Sequence, residues 1–184
     1  RIKVLNILDK LNENIILKDV VQADEMYFRI NFKGTRSAKM PRKSRKKGTE
    51  NALVGINDEE VCVVIAIDCY DTIIIKVVGN GPATINMIEN ALGGKIAKDS
   101  ILVTDSKKSY IKFAKRNKLK LKQIPTGKHT TDDYYNLAEL NSLMSEIEVF
   151  LSRYRGISTR HLQHYLNLCR YRKILKYAIE YIER

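Results

Sequence analysis

From Asn136 to Ile157, apolar side chains recur at Leu137, Leu140, Met144, Ile147, Leu151 and Tyr154, in alternating steps of three and four. That spacing predicts an amphipathic helix with one buried face, ended by Gly156 as a left-handed stop. Asn141 interrupts the pattern, four residues after Leu137 and three before Met144, which puts an amide at the edge of the buried stripe. A half-buried amide needs partners, which can be a backbone group, a neighbouring side chain or a metal site.

The rest of the chain has an equally readable pattern. Ile2 to Leu17 has helical spacing and looks like the end of something that began earlier. Val20 to Phe32 is β-rich and partly alternating, hence a strand. Lys33 to Thr49, broken by Gly34, Pro41 and Gly48, is a loop or flexible hairpin. The run Glu60 to Asp68 is continuously apolar at its centre and suits a strand buried on both faces. Thr72 to Val78 is a third strand, Ala83 to Leu92 a helix, Ser100 to Thr104 a short buried strand, and Lys107 to Asn117 a helix with Tyr110, Ile111, Phe113 and Ala114 on its apolar side. Lys118 to Ile124 alternates as a half-exposed fifth strand. After the Asn136 helix, Ser158 is placed to cap a last helix through Leu162, Leu166, Cys169, Ile174 and Ala178. Three consecutive antiparallel strands followed by alternating units predict an α/β fold, a five-stranded mixed sheet with helices on both faces. The expected layout is a helical lead-in over residues 1–19, a core over 20–157 and a C-terminal helix packed on it over 158–184.

Composition narrows the class. At 184 residues and 44% hydrophobic, the chain can bury a real core. No apolar run is long enough to span a bilayer, no signal peptide is evident, and the first residue, Arg1, suggests a preceding part. Cys62, Cys69 and Cys169 form no C-x-x-C pair, which reads as reduced packing residues in a cytoplasmic protein rather than a zinc site. The net charge of +12 is concentrated. Eight of the 33 basic residues lie between Lys33 and Lys47 with no acid among them; the other 25 against 21 acids would leave only +4. A second acid-free run carries Lys107, Lys108, Lys112, Lys115, Arg116, Lys118, Lys120, Lys122 and Lys128. Two such blocks favour a polyanionic partner, with Lys39, Arg42, Lys43, Arg45, Lys46, Lys47, Lys107 and Lys108 as the expected contacts.

Two acids stand where acids are expensive. Asp24 lies in the middle of the first strand and Asp105 at the carboxyl end of the fourth. Both need a compensating cation. Two carboxylates with a third oxygen from a helix, for which Asn141 is the candidate, make a hard-cation site suited to magnesium. Paired metals of this kind drive in-line phosphoryl transfer. The other candidates read as bystanders. Alternation points Glu25 away from Asp24, Asp68 and Asp71 look like turn formers, and Glu139, two positions before Asn141, should face solvent. His129 is a loop residue, and His161 and His164 look like surface residues.

The motifs Ala-Asp-Glu-Met-Tyr-Phe around Asp24, Leu-Val-Thr-Asp-Ser around Asp105, and Asn-Leu-Ala-Glu-Leu-Asn-Ser-Leu followed by Arg-Gly-Ile-Ser-Thr-Arg-His-Leu-Gln-His-Tyr-Leu occur in this order on matching elements. In them the chain resembles bacterial insertion-sequence transposases of the DDE superfamily over roughly Val20 to Lys173. The resemblance implies a ribonuclease H-like core of the retroviral-integrase type, with two aspartates and a third Glu, Asn or His. It also implies metal-dependent DNA cleavage and strand transfer of a mobile element, two Mg2+ ions (Mn2+ as substitute) at Asp24, Asp105 and Asn141, and transposon-end and target DNA as partners. The chain would assemble as a homo-oligomer in the synaptic complex and sit on the nucleoid when bound to DNA. One departure stands out. The family's branch carries a Lys seven residues after the third ligand, where this chain has Glu148. That keeps a second reading open, a truncated, catalytically impaired remnant that still binds DNA.

Overall fold

The structure, a computed structural model, describes residues 15–35, 39–40, 58–131 and 135–182. The expected lead-in helix lies almost wholly outside them, as do Arg42, Lys43, Arg45, Lys46 and Lys47. The described residues form one sheet of five strands: β1 (Val20–Arg29), β2 (Glu60–Asp68), β3 (Ile73–Asn80), β4 (Ile101–Thr104) and β5 (Lys120–Gln123). Their order across the sheet is β3-β2-β1-β4-β5. The β1–β2 and β2–β3 pairs are antiparallel, and β1–β4 and β4–β5 are parallel. This is the expected mixed α/β arrangement of five strands.

Among the described residues four helices cover it: α1 (Ile85–Leu92), α2 (Lys108–Asn117), α3 (Ala138–Ser152) and α4 (Leu162–Ile182), the last preceded by a 3-10 turn at Thr159–His161. The run through β2 is buried on both faces because it serves two cores. Val61, Val63, Ile65 and Ile67 pack beneath α3 and α4 with Met26, Leu140, Leu143, Ile147 and Leu166. Val64 and Ala66 pack on the other side with Val21, Ala23, Ile88, Leu92, Tyr110 and Phe113. Period-two alternation along one strand thus supplies two layers.

Sheet edges need their backbone groups satisfied. At β3 that is done by α4. Gln163 accepts from the Val77 N–H at 2.7 Å and donates to the Ile75 carbonyl at 2.9 Å, and Arg170 donates to the Ile73 carbonyl at 2.6 Å. The β2–β3 turn rests on Asp68, which is buried and accepts from the N–H groups of Lys18, Tyr70 and Thr72 at 2.9–3.0 Å. The turn role expected for it is observed. Removing a buried acceptor orphans its donors, so Asp68→Ala should lower unfolding stability by about 2–3 kcal/mol, read as a shifted urea midpoint at constant m.

Several local expectations are corrected. Helix α3 ends at Ser152, and the chain then passes through left-handed Arg155 and Gly156. The Lys33 ammonium closes this end, donating to the Tyr154 carbonyl at 3.0 Å and the Gly156 carbonyl at 2.9 Å. Favourable charge at a helix C-terminus explains the placement, and one member of the basic run is therefore structural. Ser158 makes no side-chain cap, Ile111 is exposed on α2, and Cys69 is exposed beyond β2, whereas Cys62 and Cys169 are buried. His161 and His164 are half-buried, with ring centroids 5.9 Å apart.

Candidate active site

The site exists because β4 is short. It pairs with β1 only from Val20 to Gln22, so past Gln22 the β4-side edge of β1 is open. Asp24, held by its backbone opposite Ile65 of β2, is the first inward residue beyond that point on the α3 face. The Glu25 N–H, which a longer β4 would have bonded, is donated to Asp24 Oδ1 at 2.8 Å. Asp105 follows immediately on the last residue of β4. Its Oδ1 accepts from the Lys107 N–H at 3.2 Å, and its carbonyl is held by Gln123 of β5 at 2.7 Å. Ser106 donates to the Ile124 carbonyl at 2.7 Å, so the loop is tied to β5 at two points.

The two aspartates converge, and what they converge on is Lys107. Its ammonium lies 3.1 Å from Asp24 Oδ1 and 3.4 Å from Asp105 Oδ2, and it also bonds Glu25 Oε2. Burial alone would lower the lysine pKa, but the Glu25, Asp24 and Asp105 carboxylates hold it above the ordinary lysine value. Lys107, expected as an outward DNA contact, is thus the centre of an acid cluster. Lys108 and Lys39 are exposed.

Glu25 is not the bystander that alternation suggested. Its side chain is fully inaccessible, and burial raises its pKa despite the ammonium beside it. Its Oε1 and the buried Tyr110 hydroxyl have no hydrogen-bond partner; the two groups interact without closing a well-aligned bond. Burial, followed by the Glu25 charge, pushes the Tyr110 phenol well above its usual range.

Asn141 is exposed on α3, not on the edge of its buried stripe. The helix is rotated from the expected phase, burying Leu140, Leu143, Ile147, Phe150 and Leu151, with Met144 only half-buried. Asn141 does line a cavity of about 750 Å³ together with Asp105, Lys107 and His129. Glu139 is exposed too, but its carboxylate is not free in solvent, because Gln22 Nε2 donates to its Oε2 at 3.2 Å. Gln22 Oε1 also accepts from the buried Leu140 N–H at 3.0 Å. Gln22 lies two residues before Asp24, so both point to the same face about 7 Å apart along β1. One side chain therefore anchors the start of α3 to the strand that carries Asp24. Gln22→Leu should cost about 1–3 kcal/mol in stability, because the Leu140 N–H would be left buried and unpaired, measurable by urea denaturation.

The donor chemistry fits a hard divalent cation. Two carboxylates from separate elements face one positive centre, the Lys107 ammonium, and oxygen donors of this kind are what hard divalent ions take. In the present geometry no group of three or more His, Cys, Asp or Glu among the described residues forms a metal cage.

The profile of the ISXO2-like transposase domain matches residues 16–173, which contain Asp24, Asp105 and all of α3. The chain belongs to that transposase family. No curated protein sequence matches it. Among solved structures it is similar to a chain from the cryoEM structure of the simian T-cell lymphotropic virus intasome in complex with PP2A regulatory subunit B56 gamma, at 10% identity and a TM-score of 0.48. That match covers 87% of this chain and 49% of the other, so the family member described here spans about half the length of that protein. Among its described residues, no helix is long and apolar enough to cross a membrane.

Proposed function

We propose that this transposase-family chain carries a catalytic centre for divalent-metal-dependent DNA strand cleavage and strand transfer, with Asp24 and Asp105 as its fixed carboxylates. The observation that carries the reading is their convergence, from β1 and the end of β4, on a single cation within 3.4 Å. Two acids this close and only partly hydrated repel each other unless a positive charge stands between them. Bound there, Mg2+ or Mn2+ would supply an activated water or 3′-hydroxyl and stabilise the leaving oxygen. The chain's own part is to hold the carboxylates rigidly, Asp24 through the β1–β2 ladder and Asp105 through Gln123.

The third oxygen comes from the first turns of α3, where Asn141 and Glu139 compete. Glu139 is favoured, since it brings a charge and its carboxylate already meets Gln22 on the Asp24 face. Asn141 shares its cavity with Asp105. Seven residues beyond Glu139 stands Glu146, which is ion-paired with Lys173 of α4. The anion found where the family branch carries a lysine is thus neutralised by a neighbouring helix. Element-end and target DNA, and further copies of the chain in a synapse, are the partners this reading calls for.

The test is nicking of element-end DNA with Mg2+ or Mn2+ against a chelator control, in wild type, Glu139→Gln and Asn141→Ala. Glu139→Gln is expected to lose about 10²-fold or more in rate, and Asn141→Ala less than about tenfold. The opposite ranking would return the third position to Asn141. A wild type that binds DNA yet never nicks it would leave only a DNA-binding remnant.

A further inference from the structure

A second concave surface lies away from the acid cluster, between α3 and α4. It encloses about 580 Å³, and its walls carry Arg153 at the end of α3 and Arg172, Lys173 and Lys176 of α4, with the hydroxyls of Ser142 and Ser145 on the α3 side. One acid enters it, Glu146, and that carboxylate bonds the Lys173 ammonium. Among the described lining residues four are cations and one is an anion, on a helix pair whose α3 member also presents Glu139 and Glu148. Lys173 and its partner Glu146 connect the two walls. Arg172 lies over the Phe150 ring, 5.2 Å from its centroid, which fixes a planar guanidinium at the groove floor.

We propose that this α3–α4 groove is a track for a nucleic-acid phosphate backbone, a contact surface separate from the Asp24–Asp105 centre. The proposal rests on the DNA-processing reading above for the identity of its ligand. Three cations along α4, with Arg153 at the end of α3 across the groove, match a row of phosphates, which take hydrogen bonds from such groups and carry no sequence information. Arg172 and Lys176 are one helical turn apart on α4 and so present charge along a line. An acidic peptide is the competing occupant. It differs in carrying its charges on flexible side chains rather than on a backbone of fixed phosphate spacing, so it should displace DNA less effectively than unlabelled duplex does. Glu146 has a specific role here. By holding Lys173 it subtracts charge from the track, so that the groove is weaker than its four cations would make it.

The test measures binding of the full chain to a fluorescently labelled duplex and a labelled single strand by anisotropy. A chelator is present throughout, so that no chemistry is required. Between about 50 and 200 mM salt, Arg153→Glu combined with Lys176→Glu should weaken binding at least about tenfold and flatten the slope of log affinity against log salt by about 1–2. Glu146→Gln should do the reverse and tighten binding by about threefold or more at the low-salt end. Thermal melts of each variant confirm that the fold is retained. Unchanged slopes in both variants, with folding intact, would overturn the proposal. So would displacement of the DNA by a polyglutamate peptide as effectively as by unlabelled duplex. The two readings fail separately. Loss of nicking in Asp24→Asn bears on the catalytic centre alone, whereas the salt slope in chelator bears on the groove alone.

Discussion

Asp24→Asn is expected to lower divalent-metal-dependent nicking of element-end DNA by about 10³-fold, because losing one ligand of a charge-stabilising cation removes about 4 kcal/mol of barrier lowering. The substitution is nearly isosteric, and its amide oxygen can still accept from the Glu25 N–H, as Asp24 Oδ1 does now at 2.8 Å. The β1–β2 register around it depends on backbone bonds and is untouched. The urea midpoint should therefore move little while the rate collapses, which separates a chemical role from a folding role. Asp105→Asn should behave alike. The double variant should be no slower than either single one, since groups that act as a unit are not additive. Nicking by Asp24→Asn within tenfold of wild type would remove the metal centre from consideration.

Much of the frame behind that expectation was legible in the chain, for physical reasons that can be named. The run Val61 to Ile67 has no polar position, which only a strand covered on both faces tolerates, and β2 is that strand. Asp24 and Asp105 stood out because a carboxylate inside or at the end of a buried strand is costly unless it has work to do. The misplaced residues share a different cause. Lys107 sits in a run of lysines, and nothing in its spacing distinguishes an inward lysine from an outward one; only the early end of β4 gives it access to the acids. Glu25 was read from alternation, correctly as to its face, since it lies toward Tyr110 on the α2 side. Alternation holds for a strand with neighbours on both sides, however, and at an open edge one ammonium can reach side chains from both faces. Glu139 is exposed, as expected, but its bond from Gln22 could not be read from helical spacing. In a first turn that abuts β1, an exposed residue can still be aimed at the strand.

Lys107→Met is the variant expected to cost most in stability, and the reason lies with Glu25. That side chain has no solvent access, and its second oxygen already lacks a hydrogen-bond partner. Taking away the ammonium leaves a buried carboxylate uncompensated, a change worth about 3–5 kcal/mol. Adding Glu25→Gln removes the stranded charge, so Glu25→Gln/Lys107→Met should recover at least half of the loss. The coupling would be read from a double-mutant cycle in urea. The double variant then answers a second question. Lys107 holds the oxygens of Asp24 and Asp105 that a divalent ion at the proposed centre would need, and both could not hold them at once. With the ammonium gone and the fold retained, Mn2+ should bind several-fold more tightly by titration calorimetry. Equal or weaker binding would mean that Lys107 does not compete for the ion's place and that the cluster is a structural ion pair. Tighter binding would make Lys107 an internal counter-ion, which holds the two facing carboxylates together until a metal displaces it.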